Sequence, residues 1–128
     1  MNDPKTISTR RAIPSNFENT PFLEMKKHHI EIHAEAKIDF YAQIEYLAEQ
    51  NCSIETLHRF LDEMEAASEA IGQNTFTWPF ARPSKRVRKF GPTKNFRYLI
   101  FYVVLTDGTP RIIEYLGPGR QPRWTARV

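Results

Sequence analysis

The residues of this chain that could meet a phosphate lie almost entirely in its second half. Positions 70–128 hold 11 of the 18 basic residues and only two of the 15 acids, Asp107 and Glu114. From Ala70 to Thr106 there is no acid at all, while Arg82, Lys85, Arg86, Arg88, Lys89, Lys94 and Arg97 all fall there. A basic half of this kind can face phosphates or an acidic protein, and it can equally be a solvated face. Arginine suits phosphate because its planar fork matches the oxygens and it keeps its charge. A second cluster, His29, Glu31 and His33, alternates at strand spacing and could in principle hold a metal. His-x-Glu also belongs to the zinc deaminase signature, but that site needs a Cys pair and Cys52 is the single cysteine. A solvated strand face accounts for the cluster, and no metal or other cofactor is expected. Trp78 and Phe80 precede the basic run; they could stack on bases or pack over the end of a helix pair.

The elements that must position these groups follow from the hydrophobic pattern. The length of 128 residues fits one domain, with residues 1–24 a polar arm carrying Pro4, Pro14 and Pro21, and 25–128 the folded part. The one cysteine rules out an internal disulfide. There is neither a signal-peptide core nor an apolar run of membrane length, so a cytoplasmic protein with no membrane partner is expected.

Alternation over His28–His33 predicts a first strand, with Ile30 and Ile32 on one side. Ala34–Gln50 has helical spacing through Ile38, Tyr41, Ile44 and Leu47. Ser53 can cap a second helix whose stripe is Ile54, Leu57, Leu61, Met64, Ala67 and Ile71, with Gly72 as its stop. So short a break predicts an antiparallel helix hairpin. Three strands follow: Lys85–Phe90, Phe96–Leu105 with its aromatic and β-branched residues, and Arg111–Leu116. Gly91-Pro92 and Asp107-Gly108 supply the turns. Gly117-Pro118-Gly119 ends the last strand. Grouped helices and a strand meander make this an α+β fold: N-terminal strand, helix hairpin, then a three-stranded antiparallel meander that the hairpin covers.

In this order the patterns resemble the RelE/ParE toxins of type II toxin–antitoxin systems, over roughly residues 26–122. The resemblance rests on Ala36 and Asp39 early in the first helix, on Arg59-Phe60-Leu61-Asp62-Glu63 followed by Pro79, and on Val87-Arg88-Lys89-Phe90 with Phe96-Arg97-Tyr98-Leu99-Ile100-Phe101-Tyr102. Gly117-Pro118-Gly119-Arg120 completes it. It implies a growth-arresting toxin, silenced by a cognate antitoxin, that acts either on DNA gyrase or on mRNA at the ribosome. The alternative is a non-toxic nucleic-acid-binding or decayed toxin domain.

Cutting RNA requires cations on the phosphate, a base for the 2′-hydroxyl and an acid for the leaving oxygen. The resemblance places Arg97 and Arg120 at catalytic positions and assigns Arg86, Arg88, Lys89 and Lys94 to RNA or target binding. The four arginines could line one basic face. RNA-cutting members usually add a Tyr or His near the C-terminus. This chain has neither after Gly117, where it offers Trp124. Tyr98, Tyr102 and Tyr115 are the remaining stand-ins for proton transfer.

Overall fold

The computed structural model describes residues 29–128. The expected arm over 1–24 lies outside them. Two residues, Glu31–Ile32, form β1, which runs directly into α1 (Ala34–Glu49). The junction is fixed by His33, whose Nδ1 accepts the Glu35 N–H at 3.1 Å and so satisfies a donor the helix cannot use. After residues 50–53 comes α2 (Ile54–Gln73), started as expected by Ser53, whose hydroxyl accepts the Thr56 N–H at 3.0 Å. Gly72 does not end it. The helix continues through Gly72 because the Thr75 hydroxyl takes up the carbonyls of Ile71 and Gly72, at 3.0 and 3.2 Å.

The strands are β2 (Val87–Phe90), β3 (Leu99–Val104) and β4 (Pro110–Leu116), followed by a short 3-10 turn at Trp124–Arg127. The sheet order is β1-β4-β3-β2. The meander of the last three strands is antiparallel, and β1 joins it parallel to β4. The architecture is thus α+β, with two helices and a mixed four-stranded sheet. Asp107-Gly108 makes the expected hairpin turn: the Asp107 carboxylate accepts the Thr109 N–H at 2.9 Å, and Gly108 takes φ +90°. Among the described residues, no helix is long and apolar enough to cross a membrane.

Alternation along the strands feeds two cores. On the helix side, Ile100, Tyr102 and Ile112 meet Ala36 and Phe40 of α1 and Phe60, Met64, Ala67 and Ile71 of α2. On the other side, Phe101, Val103, Ile113 and Leu116 are covered by Ala81 and Trp124. The helices thus cover one side of the sheet, as expected, and the second side is covered by Ala81 and Trp124. A register shift at Phe101/Tyr102 explains how β4 serves both layers: Phe101 pairs with Glu114 and Tyr102 with Ile112, so Ile113 is the extra residue of a bulge. The expected stripes are largely found: Leu61, Met64, Ala67 and Ile71 of α2 are buried, and Tyr41, Ile44 and Leu47 of α1 pack half-buried against the core. Phe40 and Phe60 are buried, while Ile38 is 65% exposed and Ile54 59% exposed.

Candidate functional site

Arg97 is not on β3 but just before it, in a left-handed conformation with φ +61°. The loop from Gly91 to Tyr98 imposes this. Its ends are tied by the Thr93 N–H to the Tyr98 carbonyl and the Tyr98 N–H to the Thr93 hydroxyl, both 2.9 Å. Gly91 has φ +113°, and a Cβ there would stand 2.5 Å from the Tyr98 carbonyl oxygen, so only glycine fits.

From below, the Glu63 carboxylate of α2 accepts the backbone N–H groups of Asn95 and Phe96, at 3.0 and 2.8 Å, and the Asn95 amide at 2.8 Å. Burial raises the Glu63 pKa, but its hydrogen bonds from Thr93, Phe96 and Asn95 outweigh that and hold it below the usual carboxylate value. The result is a clamped loop with the Lys94 and Arg97 side chains outside it, both exposed. In the sequence Glu63 figures only as the last residue of the Arg59–Glu63 helix motif, with nothing to tie it to the loop before β3.

Arg120 lies across from this loop. It lines a cavity of about 280 Å³ together with Asp39, Tyr46, Tyr98, Tyr115 and Gln121. Arg97, just before β3, and Arg120, just after β4, fall at the same end of the sheet, where Leu99 pairs with Leu116, but Arg97 does not line the cavity. Two of the lining tyrosines, Tyr98 and Tyr115, are buried. Burial pushes the Tyr98 hydroxyl well above its ordinary pKa, against a lowering by Arg120. Burial also raises Tyr115, although Ser68 hydrogen-bonds it. Tyr102 is pushed up to about 12 by burial, opposed by Arg88, and its hydroxyl donates to the Thr75 carbonyl at 2.6 Å. Arg120 gives the cavity a cation, with Asp39 an acid in the same lining, while burial disfavours ionisation of the Tyr98 and Tyr115 hydroxyls.

The other basic residues sit elsewhere. Arg88 is on β2, two strands from β4, and its guanidinium donates to the carbonyls of Phe76 and Trp78 at 3.1 and 2.7 Å. Arg86 precedes the strand, in a turn where the Ser84 hydroxyl accepts the Arg86 and Val87 N–H groups. Lys89 pairs with Phe101 and so faces the side opposite Arg88. The four arginines do not share one face. Arg97 and Arg120 share only an end of the sheet, and Arg86 and Arg88 lie at β2 beside the aromatic loop. Among the described residues, none of Arg86, Lys94, Arg97 and Arg120 forms an ion pair.

Two further candidates are absorbed by structure. Glu31 pairs with Arg111 at 3.1 Å, and His33 caps α1. Among the described residues, no three His, Cys, Asp or Glu side chains are placed to hold a metal ion. Trp124 is buried against Phe101, ring centroids 5.9 Å apart, and is not available to stack on a base.

The tail carrying Trp124 is tied down by charge. Arg127 meets Asp39 of α1 at 2.6 Å, with both side chains nearly buried, and donates to the Ile113 carbonyl at 2.9 Å. Fully buried Glu114 accepts the Arg123 backbone N–H at 2.9 Å through Oε1. Among the described residues, its Oε2 meets only the Arg123 Nε, 3.6 Å away, too long for a hydrogen bond.

No protein-family model matches the chain, and no curated protein matches it significantly.

Proposed function

We propose that this chain is the toxin of a type II toxin–antitoxin pair, acting in the cytoplasm by binding its target rather than by cutting RNA. The target that best suits this reading is DNA gyrase, and a small cognate antitoxin would silence the toxin by covering its basic surface. The element order and the resemblance of the strand motifs support the toxin reading.

One observation carries the choice of binding over cleavage. The three tyrosines that could stand in for the missing C-terminal acid or base are all buried, with pKa values pushed up by that burial. Arg97 and Lys94, in contrast, are exposed on a clamped loop. Removing a proton from such a buried hydroxyl at neutral pH is costly, whereas an exposed arginine on a rigid support loses little freedom on binding.

In this reading Arg97 and Arg120 are contact residues for the target, with Lys94 beside them. The test is purified gyrase with the purified chain, read as plasmid supercoiling. Inhibition is expected, and it is expected to survive Tyr98→Phe and to weaken with Arg97→Ala. Loss of inhibition in Tyr98→Phe with the fold intact, or cleavage of ribosome-bound mRNA by the same preparation, would overturn the binding mechanism.

A further inference from the structure

The aromatic loop before β2 departs from ordinary packing. Trp78 sits inside, its ring 4.6 Å from Phe90 and its indole N–H 3.5 Å from the Ala70 carbonyl. Its neighbours do the opposite: Phe76 is 66% exposed and Phe80 is 40% exposed. Large apolar rings left in water need a reason when they are clustered.

These rings are also held in place. Phe80 forms a bridge with Arg88 on the outer edge of the sheet. On either side of it, the Ala81 N–H donates to the Val87 carbonyl at 2.7 Å and the Lys89 N–H to the Pro79 carbonyl at 2.8 Å. The Arg88 guanidinium lies over the Phe80 ring at 4.2 Å and near Phe76 at 5.7 Å, while its Nη1 donates to the Phe76 and Trp78 carbonyls. Arg88 is thus a fixed cation beneath the rings, with no carboxylate partner among the described residues. The short turn joining Ala81 to Val87 carries Arg82, Lys85 and Arg86, all exposed.

We propose that Phe76 and Phe80, set on Arg88, form a stacking platform for the unpaired bases of a single-stranded nucleic acid, with Arg82, Lys85 and Arg86 meeting its phosphates. Aromatic faces beside a positive track are the general chemistry of single-strand binding, since every base has a π-face and every link a phosphate. A duplex hides its base faces and fits only the charged part. An acidic protein likewise fits the charges but leaves the exposed rings unexplained. Arg88 acts here as a positioning residue, its Nη1 holding the loop carbonyls and its guanidinium plane supporting the Phe80 ring. The platform does not rest on the toxin reading, because it lies two strands away from the Arg120 cavity.

The test is fluorescence anisotropy of the full chain with labelled oligonucleotides of about 12 nucleotides, within the usual span of such sites. The probes are one RNA, the DNA of the same sequence, and its duplex. Both single strands are expected to bind more tightly than the duplex, and an RNA preference would identify contacts to the 2′-hydroxyl. The Phe76→Leu/Phe80→Leu pair is expected to weaken binding roughly tenfold with the salt dependence unchanged. Lys85→Gln/Arg86→Gln is expected to flatten that salt dependence. If the double leucine variant fails to fold, Phe76→Leu alone, at the more exposed ring, gives the same reading. Binding of the duplex as tightly as the single strands, wild-type affinity in the leucine variants, or no binding at low salt would each overturn the proposal.

Discussion

Replacing Glu63 by Gln should loosen the loop that presents Lys94 and Arg97. The carboxylate accepts two backbone N–H groups and one side-chain amide, all between 2.8 and 3.2 Å. Glutamine keeps the shape but turns one oxygen into a donor, which then faces an N–H. A hydrogen bond to a charged group contributes about 1.5–3 kcal/mol. The site is only half-buried, so water recovers part of this, and a loss of about 2 kcal/mol is expected. For a domain of this size that lowers the melting temperature by roughly 8 °C or more.

The pH dependence gives a second handle. The Glu63 pKa is lowered in the folded protein, so its contribution is complete above the unfolded carboxylate pKa and disappears as pH falls through the folded value. The difference between wild type and Glu63→Gln should therefore be full at neutral pH and close in acid. Thermal unfolding of both proteins across that range is the assay, with exposed Glu49→Gln as the control expected within about 0.5 kcal/mol of wild type. Equal melting temperatures at neutral pH, or a gap that persists unchanged in acid, would refute the clamp.

Trp124→Ala should cost about 3–5 kcal/mol in denaturant unfolding, as expected for a large buried side chain. A surface residue awaiting a base would cost almost nothing. Arg97→Gly should separate function from stability. Relief of the left-handed conformation is worth about 1–2 kcal/mol, partly offset by the freer unfolded chain, so the melting temperature should hold or rise while target inhibition falls. Gly91→Ala should destabilise by more than about 1 kcal/mol, because its Cβ meets the Tyr98 carbonyl and its φ is positive.

What the sequence made legible was periodic. Ser53 as a cap, the Asp107-Gly108 turn and the order of strands and helices depend on residues a few positions apart, and all are found. The helix stripes from Leu61 to Ile71 and from Tyr41 to Leu47 face the core as their spacing indicates, whereas the first position of each, Ile38 and Ile54, is left to solvent and Phe40 and Phe60 join the core. The candidate site was legible only in residue type. Arg97 reads as a strand residue by its neighbours, yet tertiary contacts from Glu63, more than 30 positions away, shape the loop that turns it out of the strand. Arg86 and Arg88 look equivalent at a spacing of two. Only the fold shows that Arg88 donates to the carbonyls of Phe76 and Trp78. Trp124 looked available for stacking because nothing local marks it as the cover of the second face of the sheet.

The most direct test of the toxin reading is inducible expression of the chain in a bacterial host, following growth, mRNA integrity and plasmid supercoiling together. Growth arrest with altered supercoiling and intact mRNA, retained in Tyr98→Phe, is the expected result. Arrest with cut mRNA would contradict the binding mechanism, and unimpaired growth with abundant folded protein would contradict the toxin itself.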